Sequence, residues 1–308
     1  MEKLVNRIAE LENISKELDP SSKEREKYSA EMNHFFDDFI ATTESNKAYH
    51  GGDANNDDLG ISSSKKSLTQ LLETYKSEVV NKGLNPASGG HLGYIPGGGI
   101  YTAALGDSLA AVTNEYSGMY YGSPGAVTME NELLNWMKRI FSFPNNAVGN
   151  LTSGGSIANL IALTAARDKH KIKNECITKS VIYLSPQVHH CIHKAIRIIG
   201  LEDVQIRLLE LDKFSRIDAE QLEAAIIKDK EGGLNPFLII ASAGTTDTGA
   251  VDPLKEIGEI ANSNGLWYHI DGAYGGFFIL SEAVKHKFDG IELADSLVID
   301  PHKGLFLP

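Results

Sequence analysis

Lys303 closes the run Asp300-Pro301-His302-Lys303, directly after a short apolar stretch at 296–299. A lysine at the end of a buried strand is costly unless its ammonium is bonded or neutral. Its amine is therefore a candidate covalent nucleophile toward a carbonyl, the Schiff-base role that suits lysine best. A carbonyl compound captured this way needs anchors elsewhere in the chain.

Four runs offer them. In Leu151-Thr152-Ser153-Gly154-Gly155-Ser156-Ile157-Ala158-Asn159-Leu160, glycines and hydroxyls stand where a helix begins. Free N–H groups and the helix dipole there suit a phosphate, with Gly155 and Ser156 as its contacts; a plain N-capped helix explains the same residues. The run is neither a Walker A sequence nor a dinucleotide fingerprint. In His269-Ile270-Asp271-Gly272-Ala273-Tyr274, an aspartate ends an apolar strand. Asp271 suits a pyridinium nitrogen and Ala273 leaves room for a flat ring, while a helix cap or a metal ligand are the other readings. In Ser185-Pro186-Gln187-Val188-His189-His190-Cys191-Ile192-His193, His189 and His193 are expected on one helical face. A metal site there lacks a third ligand and the glutamate of zinc hydrolases, so no metal is assigned. His189 stacking on a cofactor ring competes with an inert histidine cluster. The fourth run, residues 241–253, carries Thr245, Thr246 and Thr248 past a strand end, as ligand hydroxyls or as a turn bonded to itself. Together the four runs and Lys303 supply the parts of a pyridoxal 5'-phosphate site.

The elements that must position these groups alternate. Strands are expected at 180–184, 204–208, 237–242, 267–271 and 296–300, and helices at 127–141, 156–170, 188–199, 218–230 and 253–264. That order implies an α/β fold with a mostly parallel sheet covered by helices, its ligands at the strands' carboxyl ends. Upstream, Leu4, Ile8, Leu11, Ile14 and Leu18 mark an amphipathic helix over 2–18, and a second is expected over 22–42. Residues 49–64 read as a linker and 66–81 as another helix, with Gly83 as its stop. The domains expected are an N-terminal helical segment with a substrate-pocket stretch, 1–95, and a cofactor-binding domain, 96–308.

The chain has 308 residues, 42% of them hydrophobic, enough for a large core. A net charge of −12 argues against nucleic acid as a partner, which needs a basic stripe. No apolar run approaches the roughly 18–20 residues that span a bilayer. The start Met1-Glu2-Lys3-Leu4 has no apolar signal core, and Cys176 and Cys191 make no disulfide framework. A reducing, cytoplasmic location is expected.

Over residues 67–308 these motifs resemble the pyridoxal-dependent decarboxylase family, in its group II branch with the aromatic amino acid, glutamate and histidine-type enzymes. The resemblance implies the aspartate-aminotransferase-like (type I) large domain and a carboxy-lyase converting an L-amino acid to its amine and carbon dioxide. It implies Lys303 as the Schiff-base lysine, Asp271 on the ring nitrogen, and His189 and Ala273 on the two ring faces. It also implies Gly155, Ser156 and His302 at the phosphate and Thr246 near the ring. The stretch Gly93-Tyr94-Ile95-Pro96 is similar to the family's substrate-pocket stretch, which points to Tyr94 and Ile95 as pocket residues. A homodimer with wrapped N-terminal helices is implied too. Asp300 and Gly304 depart from the family pattern, where many members carry asparagine and tryptophan. Family members continue well beyond position 308, so the chain is expected to be a truncated form without the C-terminal small domain and its tyrosine loop. Poor solubility and weak activity alone follow from that expectation. Other reactions on the same cofactor (aldehyde synthesis, transamination, aldol-type cleavage) and a non-catalytic remnant are the competing readings.

Overall fold

In a computed structural model, the structure describes every residue except Tyr94, Pro96 and Gly97, and the side chain of Glu17. It divides into two compact units, Met1–Gly98 and Gly99–Pro308.

The first unit holds α1 (Glu2–Ser15), α2 (Ser22–Thr42), β1 (Tyr49–His50), α3 (Asn56–Leu59), α4 (Leu68–Tyr75) and β2 (Gly83–Leu84). Ser21 and Glu24 cap α2 reciprocally, and Ser67 with Gln70 does the same for α4, which is why both helices start where a serine precedes an acid or amide by three. The expected linker is not featureless: β1 pairs antiparallel with β2, and Asn55 caps α3. Gly83 lies in β2, and α4 is extended by a π-helical turn at Lys76–Val80. One face of α1 leaves Leu4, Ile8, Leu11 and Ile14 exposed.

The second unit contains α5 (Tyr101–Thr113), α6 (Pro124–Ile140), α7 (Gly155–Lys169), β3 (Ser180–Leu184), α8 (Cys191–Ile198), β4 (Gln205–Leu208), α9 (Ala219–Glu231), β5 (Asn235–Ser242), α10 (Leu254–Asn264), β6 (Trp267–Asp271), β7 (Ser296–Val298) and α11 (Pro301–Gly304). The strands form one parallel sheet in the order β4-β3-β5-β6-β7. Alternate side chains of β3 enter different cores. Val181 and Tyr183 pack with Leu222, Ile226 and Ile257 from α9 and α10, while Ile182 and Leu184 pack with Leu163, Ile192 and Ile196 from α7 and α8. Both faces of β3 are thus dry, which explains why its apolar residues run on without alternation. The chain leaves β3 for β4 on one side and returns to β5 on the other. That reversal opens a crevice at the strands' carboxyl ends.

α8 begins at Cys191, later than the expected 188, so His189 and His193 do not share a helix face. The Ser185 hydroxyl accepts the Gln187 N–H, at 2.9 Å, and this local turn holds the chain off the helix. β7 also ends earlier than expected, at Val298, because α11 starts at Pro301. No helix among the described residues is long and apolar enough to cross a membrane.

Candidate active site

One cleft gathers the carboxyl ends of the strands. Its wall includes Gly155, Ser156, Asn159, His189, Thr246, Asp271, Ala273, Asp300 and Lys303. Of the expected cofactor and catalytic residues in the second unit, His302 alone is not on that wall. His302 is exposed on the short helix α11 and is not on the cleft wall, since helical neighbours diverge by about 100° and Lys303 takes the inward direction. Ile95 is half-buried in the first unit, and Tyr94 falls outside the described residues. A larger apolar groove in the first unit, lined by Phe35, Phe36, Leu71, Leu72 and Tyr75, carries none of these residues.

α7 presents its N-terminus to the cleft. Gly154 is its N-cap at φ 145°, a conformation that a side chain disfavours. The first-turn N–H groups of Gly155 and Ser156 have no acceptor within the helix, so this end favours an anion. Asp300 already reaches it. A Cβ built on Gly155 would lie 3.0 Å from the Asp300 carboxylate, so a larger residue there would press that carboxylate away. Asp300 Oδ2 in turn binds Lys303 Nζ at 3.1 Å.

Asp271 sits at the end of β6 on the cleft floor and is buried. Its Oδ1 accepts the Ala273 N–H at 3.1 Å, and its Oδ2 faces Asn159 Nδ2 at 3.4 Å. Burial pushes its pKa up, opposed chiefly by the Ala273 N–H and the charge of Lys303. It makes no ion pair among the described residues. A buried carboxylate with two neutral donors and no cation is suited to a cationic ligand on its open side.

His189 lies in the turn before α8, where its Nδ1 accepts the Cys191 N–H at 3.3 Å. Burial and the adjoining His190 push its pKa down, which favours a neutral, flat ring. The two imidazoles stand 4.1 Å apart. At the cleft mouth, Thr245 and Thr248 share a 2.7 Å hydroxyl bond, and Thr248 also donates to Gln187 Oε1 at 3.2 Å. Thr246 stands exposed on the cleft wall beside them.

Asn159, Cys191 and Gln187 also line the cleft and were not singled out as site residues. Asn159 had left a signal: a buried asparagine inside a helix is unfavourable unless it has a polar partner. Among the described residues no group of three or more His, Cys, Asp or Glu is arranged to hold a metal.

Residues 53–307 match the family described as the pyridoxal-dependent decarboxylase conserved domain. The chain belongs to this family. It is 38% identical over 239 residues to an aromatic-L-amino-acid decarboxylase of Bacillus atrophaeus, covering 78% of this chain and 49% of that protein. It is 34% identical over 248 residues to tyrosine decarboxylase 2 of Narcissus pseudonarcissus, covering 77% and 50%. Among solved structures it is similar to a Rhodiola rosea 4-hydroxyphenylacetaldehyde synthase, with a TM-score of 0.84 and 28% identity over 93% of this chain and 64% of that one. The chain spans about half the length of the curated relatives it matches. Its α/β architecture is the aspartate-aminotransferase-like (type I) large-domain fold of those pyridoxal enzymes.

The cleft fits the cofactor in its family's name. The buried, unpaired Asp271 suits a protonated ring nitrogen, the N-terminus of α7 suits a phosphate, and Lys303 supplies an amine within the same cleft.

Proposed function

We propose that this chain holds pyridoxal 5'-phosphate and serves the decarboxylation of an aromatic L-amino acid to the amine and carbon dioxide. The observation that carries this reading is the unpaired buried carboxylate of Asp271 in one cleft with Lys303 and the N-terminus of α7. The aromatic class rests on the relatives' names, an aromatic-L-amino-acid decarboxylase and a tyrosine decarboxylase.

In this reading Lys303 offers its amine to the cofactor aldehyde and Asp271 holds a proton on the ring nitrogen. Gly155 and Ser156 turn backbone N–H groups toward the phosphate, and His189 offers a neutral aromatic face with the small Ala273 as the other neighbour. Thr246 adds a hydroxyl near the ring. Bound pyridoxal phosphate supplies an aldehyde for amines and a ring that withdraws electrons from the bond being broken. Tyr94 and Ile95 are proposed substrate-pocket residues.

A homodimer in the cytoplasm completes the proposal. The exposed apolar face of α1 suits a second copy, and the free thiols Cys176 and Cys191 suit a reducing compartment.

The test is capture of the cofactor by this chain. Added pyridoxal phosphate should give a visible Schiff-base band in the wild type and none in Lys303→Ala. Equal spectra would overturn the lysine's role. Carbon dioxide release from tyrosine, tryptophan and phenylalanine, with the amine as co-product, tests the reaction; an aldehyde product instead would overturn simple decarboxylation.

A further inference from the structure

Behind the cleft floor runs a chain of buried and half-buried polar groups that the proposed chemistry does not use. Its directions follow from groups that cannot change roles. The Gly155 carbonyl lies 2.9 Å from the Asn159 side-chain amide, and a carbonyl only accepts, so that atom is Nδ2. Asn159 Oδ1 then faces His269 Nε2 at 2.8 Å, which makes Nε2 the protonated nitrogen. Nδ1 is left as an acceptor, 2.8 Å from Ser296 Oγ. The Ser296 hydroxyl is free to donate there because its oxygen is taken, as acceptor, by Trp267 Nε1 at 2.8 Å. The indole can only donate. Both ends are therefore locked, and every hydrogen points from Trp267 toward α7.

The last hydrogen of Asn159 Nδ2 faces Asp271 Oδ2 at 3.4 Å and Cys191 Sγ at 3.6 Å. We propose that Trp267, Ser296, His269 and Asn159 form a one-way hydrogen-bond relay that orients Asp271 and offers it a neutral donor from behind. Asn159 and His269 are positioning residues acting through Asp271. Because the relay brings no positive charge, the charge of Asp271 is answered only from the cleft side, where a ring nitrogen would sit; this last step rests on the proposed function. His269 is fully enclosed, and burial pushes its pKa down to about 4, in keeping with a neutral imidazole. The titratable groups acting on Asp271 are Lys303, His189 and Asp300, all on the cleft side, with the buried Cys191 thiol beside it.

Nitrogen-15 NMR of the labelled chain without cofactor tests the relay directly. His269 should show the Nε2–H tautomer at neutral pH, and Ser296→Ala should move its Nδ1 resonance while the fold survives. An Nδ1–H tautomer, or an Nδ1 resonance unmoved in Ser296→Ala, overturns the relay. In the cofactor-loaded chain, His269→Leu should shift the pH midpoint of the visible band by roughly one pH unit. His269→Gln, whose amide can accept from Ser296 and donate to Asn159, should restore it. A wild-type midpoint in a folded His269→Leu means that the relay does not reach Asp271, and overturns it. A wild type with no Lys303-dependent band overturns the proposed function instead, and the tautomer then still decides the relay.

Discussion

Lys303 directs its Nζ to Asp300, 3.1 Å away, and makes no ion pair with Asp271, the other carboxylate of the same cleft. The lysine proposed to capture the cofactor aldehyde is thus tied to a second carboxylate of the cleft. The Asp300 carboxylate also lies beside Gly155, the first residue of α7, at the helix end suited to a phosphate. A phosphate bound at that end would lie near this carboxylate, whose negative charge opposes it.

Asp300→Asn should therefore tighten the binding of pyridoxal phosphate. The pair is partly exposed to solvent, so a gain of about 1 kcal/mol, or roughly fivefold in affinity, is expected. Pyridoxal, which lacks the phosphate, should gain less. Absorbance titration of both compounds measures this, and weaker binding of pyridoxal phosphate to the variant would show that Asp300 helps to hold the anion.

Acid should expose His269. Its ordinary pKa is 6.5 and the folded chain lowers it to about 4, so the unfolded chain binds the proton first as pH falls. This contribution is complete above 6.5 and is lost as pH drops through about 4, on the order of 3 kcal/mol in all. Asp252 works in the opposite sense. Burial raises its pKa from 3.8 to about 6, so falling pH through that interval favours the folded chain. The raised pKa of Asp271 has the same sign as that of Asp252. Urea midpoints of wild type and His269→Gln between neutral and acid pH isolate the histidine: the variant should lose less stability on acidification. Parallel curves would mean that His269 titrates normally.

A second polar cluster, half-buried at Arg207, is structural. Arg207 of β4 grips Asp229 of α9 through Nε and Nη2, at 3.1 and 2.9 Å, and Tyr183 of β3 donates to the same carboxylate at 2.7 Å. Burial and that carboxylate push the Tyr183 pKa well up, so its hydroxyl remains a donor. Asp229→Ala strands a guanidinium and a buried phenol and should cost about 3 kcal/mol; Tyr183→Phe removes one bond and should cost about 1 kcal/mol. Chemical denaturation ranks the two, and an equal or reversed order would contradict the geometry.

How much of this was legible depended on range. The runs at 180–184 and 267–271, mostly apolar and without alternation, became β3 and β6 with the expected bounds, because strands buried on both faces need no alternation. Asp271 ends β6, Gly155 begins α7, and His189 and Lys303 lie within two residues of an element's end, where side chains must do something other than pack; all reach one cleft. The ribbon of β1 and β2 has two residues per strand, too short for any period to show. The placement of His189 before α8 turned on one serine bond, invisible to helical spacing. The relay was least legible, since Asn159 and His269 lie 110 residues apart and meet only when α7 packs on β6. Each looked locally like a polar intruder in an apolar element.

Gly304 follows from its neighbour. A Cβ on it would lie 2.8 Å from the Phe277 Cβ, and Phe277 is itself held between Trp136 and Phe141, with ring centroids at 6.3 and 5.9 Å. Phe277 thus fills the space that a side chain at position 304 would take. Gly304→Trp alone should overpack this cluster, cost about 3 kcal/mol and displace Lys303 next to it, weakening the visible pyridoxal phosphate band. Combining it with Phe277→Ala should recover much of both losses, because the two side chains compete for one space. Urea denaturation and absorbance of the single and double variants measure the coupling. If the double variant is no better than the sum of its parts, the two positions do not exchange volume, and Gly304 is kept for its backbone instead.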